Sequence, residues 1–293
     1  MKNLDQYILE SLKGYKSSTI KPKEQLPEYC KLYFADQKVD VNMIENLDTS
    51  NVTNMDSMFD DAKFDSDSLD LSSWDVSNVE DMSYMFQCCS IKYLDLSNWN
   101  LNNIKRMPCM FYDCNNLEYL NVDNWDMSNV ESLSYVFTTC HNIKKLDLST
   151  WNNTNNVCFI ERMFNNCKSL EYLDISSLDT TNICISANNL GSVDDYAIFM
   201  GCYNLTDIIF GPNFGKTSKV SAKECFTIDL GDCGKNKGYK LSDKTYESML
   251  TMYDRKKAGL DNMQITFYDR HNIPDGWEEK MKERGYDIKI YLY

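Results

Sequence analysis

Residue patterns that mark common catalytic and metal sites are scarce in this chain of 293 residues. It has only two histidines, His141 and His271, and its 12 cysteines form no Cys-x-x-Cys motif. Structural zinc sites use closely spaced cysteines and histidines, so the sequence gives no basis for one. Nucleophilic triads need a histidine beside a serine or cysteine, and we therefore expect no catalytic residues, no metal and no cofactor.

Long apolar runs are also lacking. The first 13 residues contain no apolar stretch of the length found in signal peptides, and no window of about 20 apolar residues occurs in the chain. The cysteines recur at one position of a repeat, which favours buried thiols stacked about 5 Å apart over a disulfide framework. We expect a reduced, cytoplasmic protein.

Positive charge is in short supply. The chain has 30 lysines and arginines against 44 aspartates and glutamates, giving a net charge of −14. Nucleic-acid backbones and anionic membranes would be repelled by such a surface, whereas a basic protein would be attracted. A high net charge also keeps proteins in solution, so it does not by itself identify a partner.

A sequence phrase that restarts every 25–27 residues dominates the middle of the chain. In its clearest copy, Trp74 opens the phrase, Phe86 closes its first half and Cys89 follows three residues later. Five residue types keep this phase, as in leucine-rich solenoids. The tryptophans are Trp74, Trp99, Trp125 and Trp151, and the phenylalanines are Phe59, Phe86, Phe111, Phe137 and Phe164.

The first half of each phrase predicts a helical turn, because Val79, Met82, Met85 and Phe86 share one face of a helix. Ser77 stands at a position suited to an N-cap. An asparagine recurs just before the first apolar residue, and we expect it to bond backbone groups at a bend, as a ladder along the array. Its members are Asn51, Asn78, Asn103, Asn129, Asn156 and Asn182.

The second half predicts a short strand whose central leucine points inward and whose flanking residues point outward. Stacked in parallel, these strands would carry an acidic row and, beside it, a tyrosine row that Lys145 interrupts. The acidic row is Asp70, Asp95, Asn121, Asp147 and Asp174, and the tyrosines are Tyr93, Tyr119 and Tyr172. Tyrosines are common at interfaces and acids steer basic partners, although such tyrosines can also simply pack on one another.

The phrase Trp-Asp-Val-Ser-Asn-Val-x-x-Met-x-x-Met-Phe at residues 74–86 resembles the BspA-type leucine-rich repeat of bacterial surface proteins. The resemblance covers about residues 47–210, and it weakens at residues 152–156 and after Ile183. It implies an α/β repeat: a right-handed leucine-rich-repeat solenoid with parallel strands on the concave face, helical turns on the convex face and caps at both ends. It also implies protein contacts, with adhesion in exported members and intracellular roles in short bacterial or phage members.

Three parts are predicted. Residues 1–46 form an N-terminal cap that begins with an amphipathic helix over 3–15, and residues 47–210 form about six coils. Residues 211–293 form a C-terminal α/β capping unit with strands at 225–230, 263–268 and 286–293 and helices at 241–250 and 274–284, the last followed by Gly285.

The predicted function is a non-enzymatic protein-interaction module that binds a basic protein partner through the concave face. The residues expected to bind are Tyr93, Asp95, Tyr119, Asn121, Lys145, Asp147, Tyr172 and Asp174. A bacterial or phage intracellular effector is one form of this function, and a surface adhesin is an alternative. Another alternative is a small-molecule or enzymatic site in the 184–198 insertion or in the glycine- and lysine-bearing loop at 231–240.

Overall fold

The computed structural model describes residues 25–183, 198–216, 228–268 and 271–292. The predicted helix at 3–15 lies outside the described residues, as does the 184–198 insertion except for Ile198. Within the described residues the chain is a parallel β-solenoid with little helix.

The elements are short in the repeats and longer near the C-terminus. The first coil holds β1 (Lys38–Val39) and helix α1 (Val41–Ile44), and β1 pairs in parallel with β2 (Lys63–Phe64). The following coils each contribute one strand, and these are β3 (Ser68–Asp70), β4 (Tyr93–Asp95), β5 (Tyr119–Asn121), β6 (Lys145–Asp147), β7 (Tyr172–Ile175) and β8 (Asp207–Phe210). A 3-10 turn covers Thr154–Asn156.

The predicted strands are confirmed, and they form two parallel sheets in the order β3-β4-β5 and β6-β7-β8. Equivalent residues of successive coils lie in register, so Leu69, Leu94 and Leu120 face one another. These leucines are buried, and their flanking residues point outward. We call the outward side chains of β3 to β8 the strand face.

The helical turns predicted for the other side of each coil are wrong. Residues 82–89 instead form two successive turns in which Met85 N–H donates to the Met82 carbonyl and Cys89 N–H to that of Phe86. The third residue of each turn, Tyr84 or Cys88, has a positive φ of 57° or 54°, as in type II turns. Ser77 therefore caps no helix.

This turn geometry leaves alternate N–H groups free to bond the next coil. Met82, Tyr84, Phe86 and Cys88 donate to the carbonyls of residues 106, 108, 110 and 112. A helix would use these donors within its own segment, so the array exchanges intra-helical bonds for bonds between coils. Apolar residues at a spacing of three and four still point inward, because two linked turns repeat at nearly the same interval.

The side-chain ladders expected from the sequence line the interior. Phe34, Phe59, Phe86, Phe111, Phe137, Phe164 and Phe199 stack with ring centroids 5.3–6.0 Å apart. Each repeat tryptophan donates its indole N–H to a carbonyl of the preceding coil, for example Trp99 to Leu71 at 2.8 Å. The asparagine ladder does the same from the bend, with Asn103 donating to the Ser77 carbonyl at 2.6 Å.

Cysteines complete the ladders as buried thiols. Cys114, Cys140, Cys167 and Cys202 each donate to the carbonyl of a phenylalanine one coil earlier, at 2.9–3.1 Å. Burial raises the pKa of these thiols well above its ordinary value, which keeps them protonated. The ten cysteines among the described residues are all free thiols.

The C-terminal segment has the helix–strand–helix–strand order expected from its sequence. It contains β9 (Ile228–Asp229), α2 (Asp243–Met249), β10 (Met263–Tyr268), α3 (Trp277–Glu283) and β11 (Tyr286–Tyr291). Ser242 caps α2 by accepting from Thr245 N–H, and Gly285 has φ +88° just after α3. The three strands form one parallel sheet in the order β11-β10-β9.

Helix α2 lies along β8 and pairs its backbone through side-chain hydroxyls. Thr245 Oγ1 accepts from Ile208 N–H at 2.9 Å, and Ser248 Oγ accepts from Phe210 N–H at 3.1 Å. The last strand of the array thus has its outer N–H groups paired without a further coil. The domain boundaries at 46 and 210 stay predictions.

Candidate interaction surface

The eight residues predicted to bind a partner all lie on the strand face, in neighbouring positions. Tyr93 stands opposite Tyr119, and Asp95 stands opposite Asn121. On the second sheet, Lys145 stands opposite Tyr172 and Asp147 opposite Asp174. All but Lys145 are half-buried or buried, so the coils hold them in place before any partner arrives.

The acidic row has a structural role that sequence reasoning missed. In four coils one oxygen of the aspartate at the third strand position accepts from the N–H two residues ahead, for example Asp95 from Ser97 at 3.0 Å and Asp174 from Ser176 at 2.9 Å. Asn121 does the same for Asp123 without a charge. Asp95 is only 9% exposed. The recurring Asp-x-Ser pattern after each strand is the signal that could have revealed these turns.

The tyrosines also have partners within the chain. Tyr93 donates its hydroxyl to Glu118 at 3.2 Å, and Tyr172 donates to the second oxygen of Asp174 at 3.3 Å. Burial, followed by the charges of Asp174 and Asp147, raises the pKa of Tyr172 to about 12. Both hydroxyls therefore remain protonated donors at neutral pH, and their rings form half-exposed platforms.

Lys145 shows what a cation does on this surface. Its ammonium lies 5.4 Å from the centroid of the Tyr172 ring, which is within the range of a cation–π contact. Asp147 and Asp174 lie on the same two strands. The arrangement of a ring flanked by carboxylates thus already holds one positively charged side chain.

A second charged row, just before the strands, was not anticipated. It reads Asp67, Lys92, Glu118, Lys144 and Glu171, so its sign alternates from coil to coil. Lys92 pairs with Asp67 at 2.8 Å, and Lys237 of the C-terminal segment pairs with Glu171 at 3.4 Å. These exposed pairs neutralise one another, so the negative potential of the strand face depends on the acidic row.

The loop at 231–240 is occupied by its own contacts. Residues Lys235–Lys237 form a 3-10 turn, Lys237 pairs with Glu171, and the Lys235 ammonium lies 5.2 Å from the Tyr203 ring centroid. Lys235 and Lys237 are therefore directed at neighbouring side chains. The other alternative location, residues 184–197, lies outside the described residues.

The two histidines lie in different environments. His271 is buried among aromatic rings, where it accepts from Tyr268 N–H through Nδ1 and lies 3.1 Å from the Cys233 carbonyl through Nε2. His141 is half-buried in a loop beside Lys168, and both burial and that lysine lower its pKa. Among the described ranges, no group of three or more histidines, cysteines or acids could hold a metal ion.

No helix in the described part of the chain is long and apolar enough to cross a membrane. The geometry defines the class as a parallel repeat solenoid with a charged, tyrosine-bearing strand face.

Residues 24–118 and 88–196 match the family described as "Mycoplasma protein of unknown function, DUF285". The chain belongs to this family. Its solenoid of repeated coils agrees with a BspA-like repeat, whereas the specific BspA leucine-rich type stays a prediction. No curated protein matches the chain.

Proposed function

We propose that this protein is a non-enzymatic interaction scaffold that binds a basic protein partner through the strand face. The single observation that carries the proposal is the contact of Lys145 with Tyr172 beside Asp147 and Asp174, since it shows an ammonium held by this surface. A partner's lysine or arginine on the neighbouring rings would gain the same interactions. A concave strand face would let several coils contribute at once.

The rigidity of the surface supports this role. Every acid of the row is fixed by a backbone N–H, and Tyr93 is fixed by Glu118. Side chains that are ordered before binding lose little conformational entropy when the partner arrives. Half-buried tyrosines are among the residue types that contribute most to interface affinity.

The acidic row offers a direct test, because its charge can be removed while the turn hydrogen bonds are kept. Asn121 fills its position with an amide, so Asp95→Asn, Asp147→Asn and Asp174→Asn should keep the turn bonds and remove three charges. A matched control is Asp75→Asn, Asp126→Asn and Asp179→Asn. These carboxylates accept the same kind of bond at another corner of the coil, so the charge change is identical.

The experiment compares the wild type and both triple variants as immobilised baits in extract of the source organism, with captured proteins identified by mass spectrometry. The strand-face variant should lose a basic protein that the wild type and the control both retain. Adding Tyr119→Ala to the wild type should weaken that complex by about tenfold or more. Equal retention by all baits would remove the strand face as the binding surface. A small molecule that co-purifies in place of any protein would favour the ligand-binding alternative.

A further inference from the structure

Strand β11 forms the edge of the C-terminal sheet. It pairs with β10 along all six residues, and no strand among the described residues pairs with its other side. Met263 N–H donates to the Gly285 carbonyl. In a parallel pair this bond fixes which alternate residues of β11 direct their N–H and C=O groups toward β10. Asp287, Lys289 and Tyr291 therefore direct their backbone groups toward β10. Tyr286, Ile288 and Ile290 direct theirs to the open side.

The side chains at this edge are those of a pairing strand. Ile290 is 43% exposed, and Leu292, directly after the strand, is 88% exposed. Edge strands with exposed apolar residues readily take up another strand, and natural proteins usually block this with lysine or proline. Lys289 would provide that block, but Asp287 stands two residues away on the same face and carries the opposite charge.

We propose that β11 pairs antiparallel with β11 of a second copy, across a two-fold axis at Ile288, to make one continuous six-stranded sheet. Only residues whose backbone groups face the open side can form the hydrogen-bonded pairs. Ile288 then meets its own copy, and Tyr286 meets Ile290 of the partner subunit. Asp287 stands opposite Lys289 of the partner subunit, and the two-fold axis makes this pair twice.

The charge pattern selects this occupant and this register. A neighbouring register that keeps the same set of hydrogen-bonding residues places the two-fold axis at Lys289. It sets Lys289 opposite the partner subunit's Lys289, and like charges directly opposite are unfavourable. Lys289 discourages pairing with other strands, but in self-pairing its charge is neutralised by Asp287 of the partner subunit. A two-fold contact of this kind is closed, so it produces a dimer and not a filament.

The test measures the dissociation constant of the full-length chain by sedimentation equilibrium. Asp287→Lys places like charges opposite at both pairs, and it should raise the dissociation constant roughly tenfold. The double variant Asp287→Lys with Lys289→Asp reverses both signs and should restore the wild-type value. Glu131→Lys, an equal charge change on an exposed residue of the array, should have no effect.

A second variant avoids reliance on charge. Ile290→Pro removes an N–H on the open side and none toward β10, so it should abolish dimerisation while circular dichroism and melting stay near wild type. The proposal is overturned by a wild type that stays monomeric up to about 100 µM. It is equally overturned by a dimer that survives Ile290→Pro, or by a double variant that is no tighter than Asp287→Lys alone.

Discussion

The coils and the C-terminal unit pair their buried polar groups in different ways. In the coils each contact has equivalents one coil away, as in the phenylalanine and indole ladders of the interior and the asparagine ladder at the exposed bends. The C-terminal unit relies on single residues, such as the buried Arg255, which donates to the Gly215 and Asp261 carbonyls. The Tyr286 hydroxyl likewise donates to the Tyr253 carbonyl at 2.8 Å, with the Phe214 carbonyl 3.5 Å away.

This difference determines how each region responds to substitutions that remove a contact. A coil contacts only the coil before it and the coil after it, so its stability is close to a sum of neighbour terms. The C-terminal unit is an ordinary α/β core, in which the Phe267 ring packs edge-on against Trp277 at 87° and against His271 at 65°. In this unit no repeated contact stands in for a lost one, so a buried polar group that loses its partner stays unpaired.

The largest effect is expected from Phe137→Ala. The ring stacks on Phe111 at 5.5 Å and on Phe164 at 5.7 Å, so its removal opens a cavity between three coils and should cost about 3–5 kcal/mol. Chemical denaturation measures the loss. Phe267→Ala should cost a similar amount but expose amides of the C-terminal unit first in hydrogen exchange. If both variants weaken the same amides, the two regions unfold as one and the comparison fails.

A smaller effect is expected from pH through His271. Burial lowers its pKa in the folded state below the ordinary 6.5. The unfolded chain therefore takes up a proton below pH 6.5 that the folded chain refuses, and stability falls as the pH falls. The slope reaches up to about 1.4 kcal/mol per pH unit for one proton.

The measurement is the difference in unfolding free energy between pH 7.5 and pH 5 for the wild type and for His271→Gln. The variant should lack this part of the slope, whereas the half-buried His141, changed in the same way, should matter less. Identical slopes for wild type and His271→Gln would contradict the prediction.

The smallest effect is a gain from Thr139→Gly. Thr139 has φ +60°, a left-handed conformation that costs a β-branched residue about 1–2 kcal/mol, of which glycine's greater chain entropy offsets about 0.5–1. Stability should rise by the remainder, measured by thermal unfolding.

The reverse change, Gly201→Ala, probes the same turn position two coils on. A Cβ there would lie 2.4 Å from Asn166 Oδ1, so this variant should lose stability. A gain for both variants would show that backbone conformation does not control this turn.

Much of the array could be predicted because its cues recur in phase. The positions of Trp125, Phe137 and Cys140 correctly gave the stacked interior, and the alternation in 93–95 gave the strands. The helical turns could not be separated from linked turns by spacing alone, since both place apolar residues inward at intervals of three and four. The residues at the left-handed positions were the missing cue, because Asp61, Asp113, Asn166 and Gly201 favour that conformation.

The positions of the strand-face residues were predicted correctly, but their hydrogen bonds within the chain were not. Outward alternation located Tyr93 and Asp95 correctly, and the Asp-x-Ser pattern could have indicated that Ser97 N–H donates to Asp95. The bond that Tyr93 donates to Glu118 depends instead on the geometry between neighbouring coils. Much of the acidity that suggested electrostatic steering belongs to turns that an asparagine can also make. Only the charge-removing Asp→Asn substitutions can separate those two roles.

The bonds between coils on the turn side give the array a direction. Met55, Ser57, Phe59 and Asp61 donate forward to residues 81, 83, 85 and 87, and later coils repeat the same sense. At these turns the dipoles of the donating amides therefore add along the stack, with carbonyls facing out of the first coil and N–H groups facing out of the last. At that positive pole Gly201 N–H meets the carboxylate of Asp232 at 2.9 Å, as an acid does at the start of a helix. At these turns the two ends of the stack therefore have opposite polarity, and each can be continued there only by a group of the complementary kind.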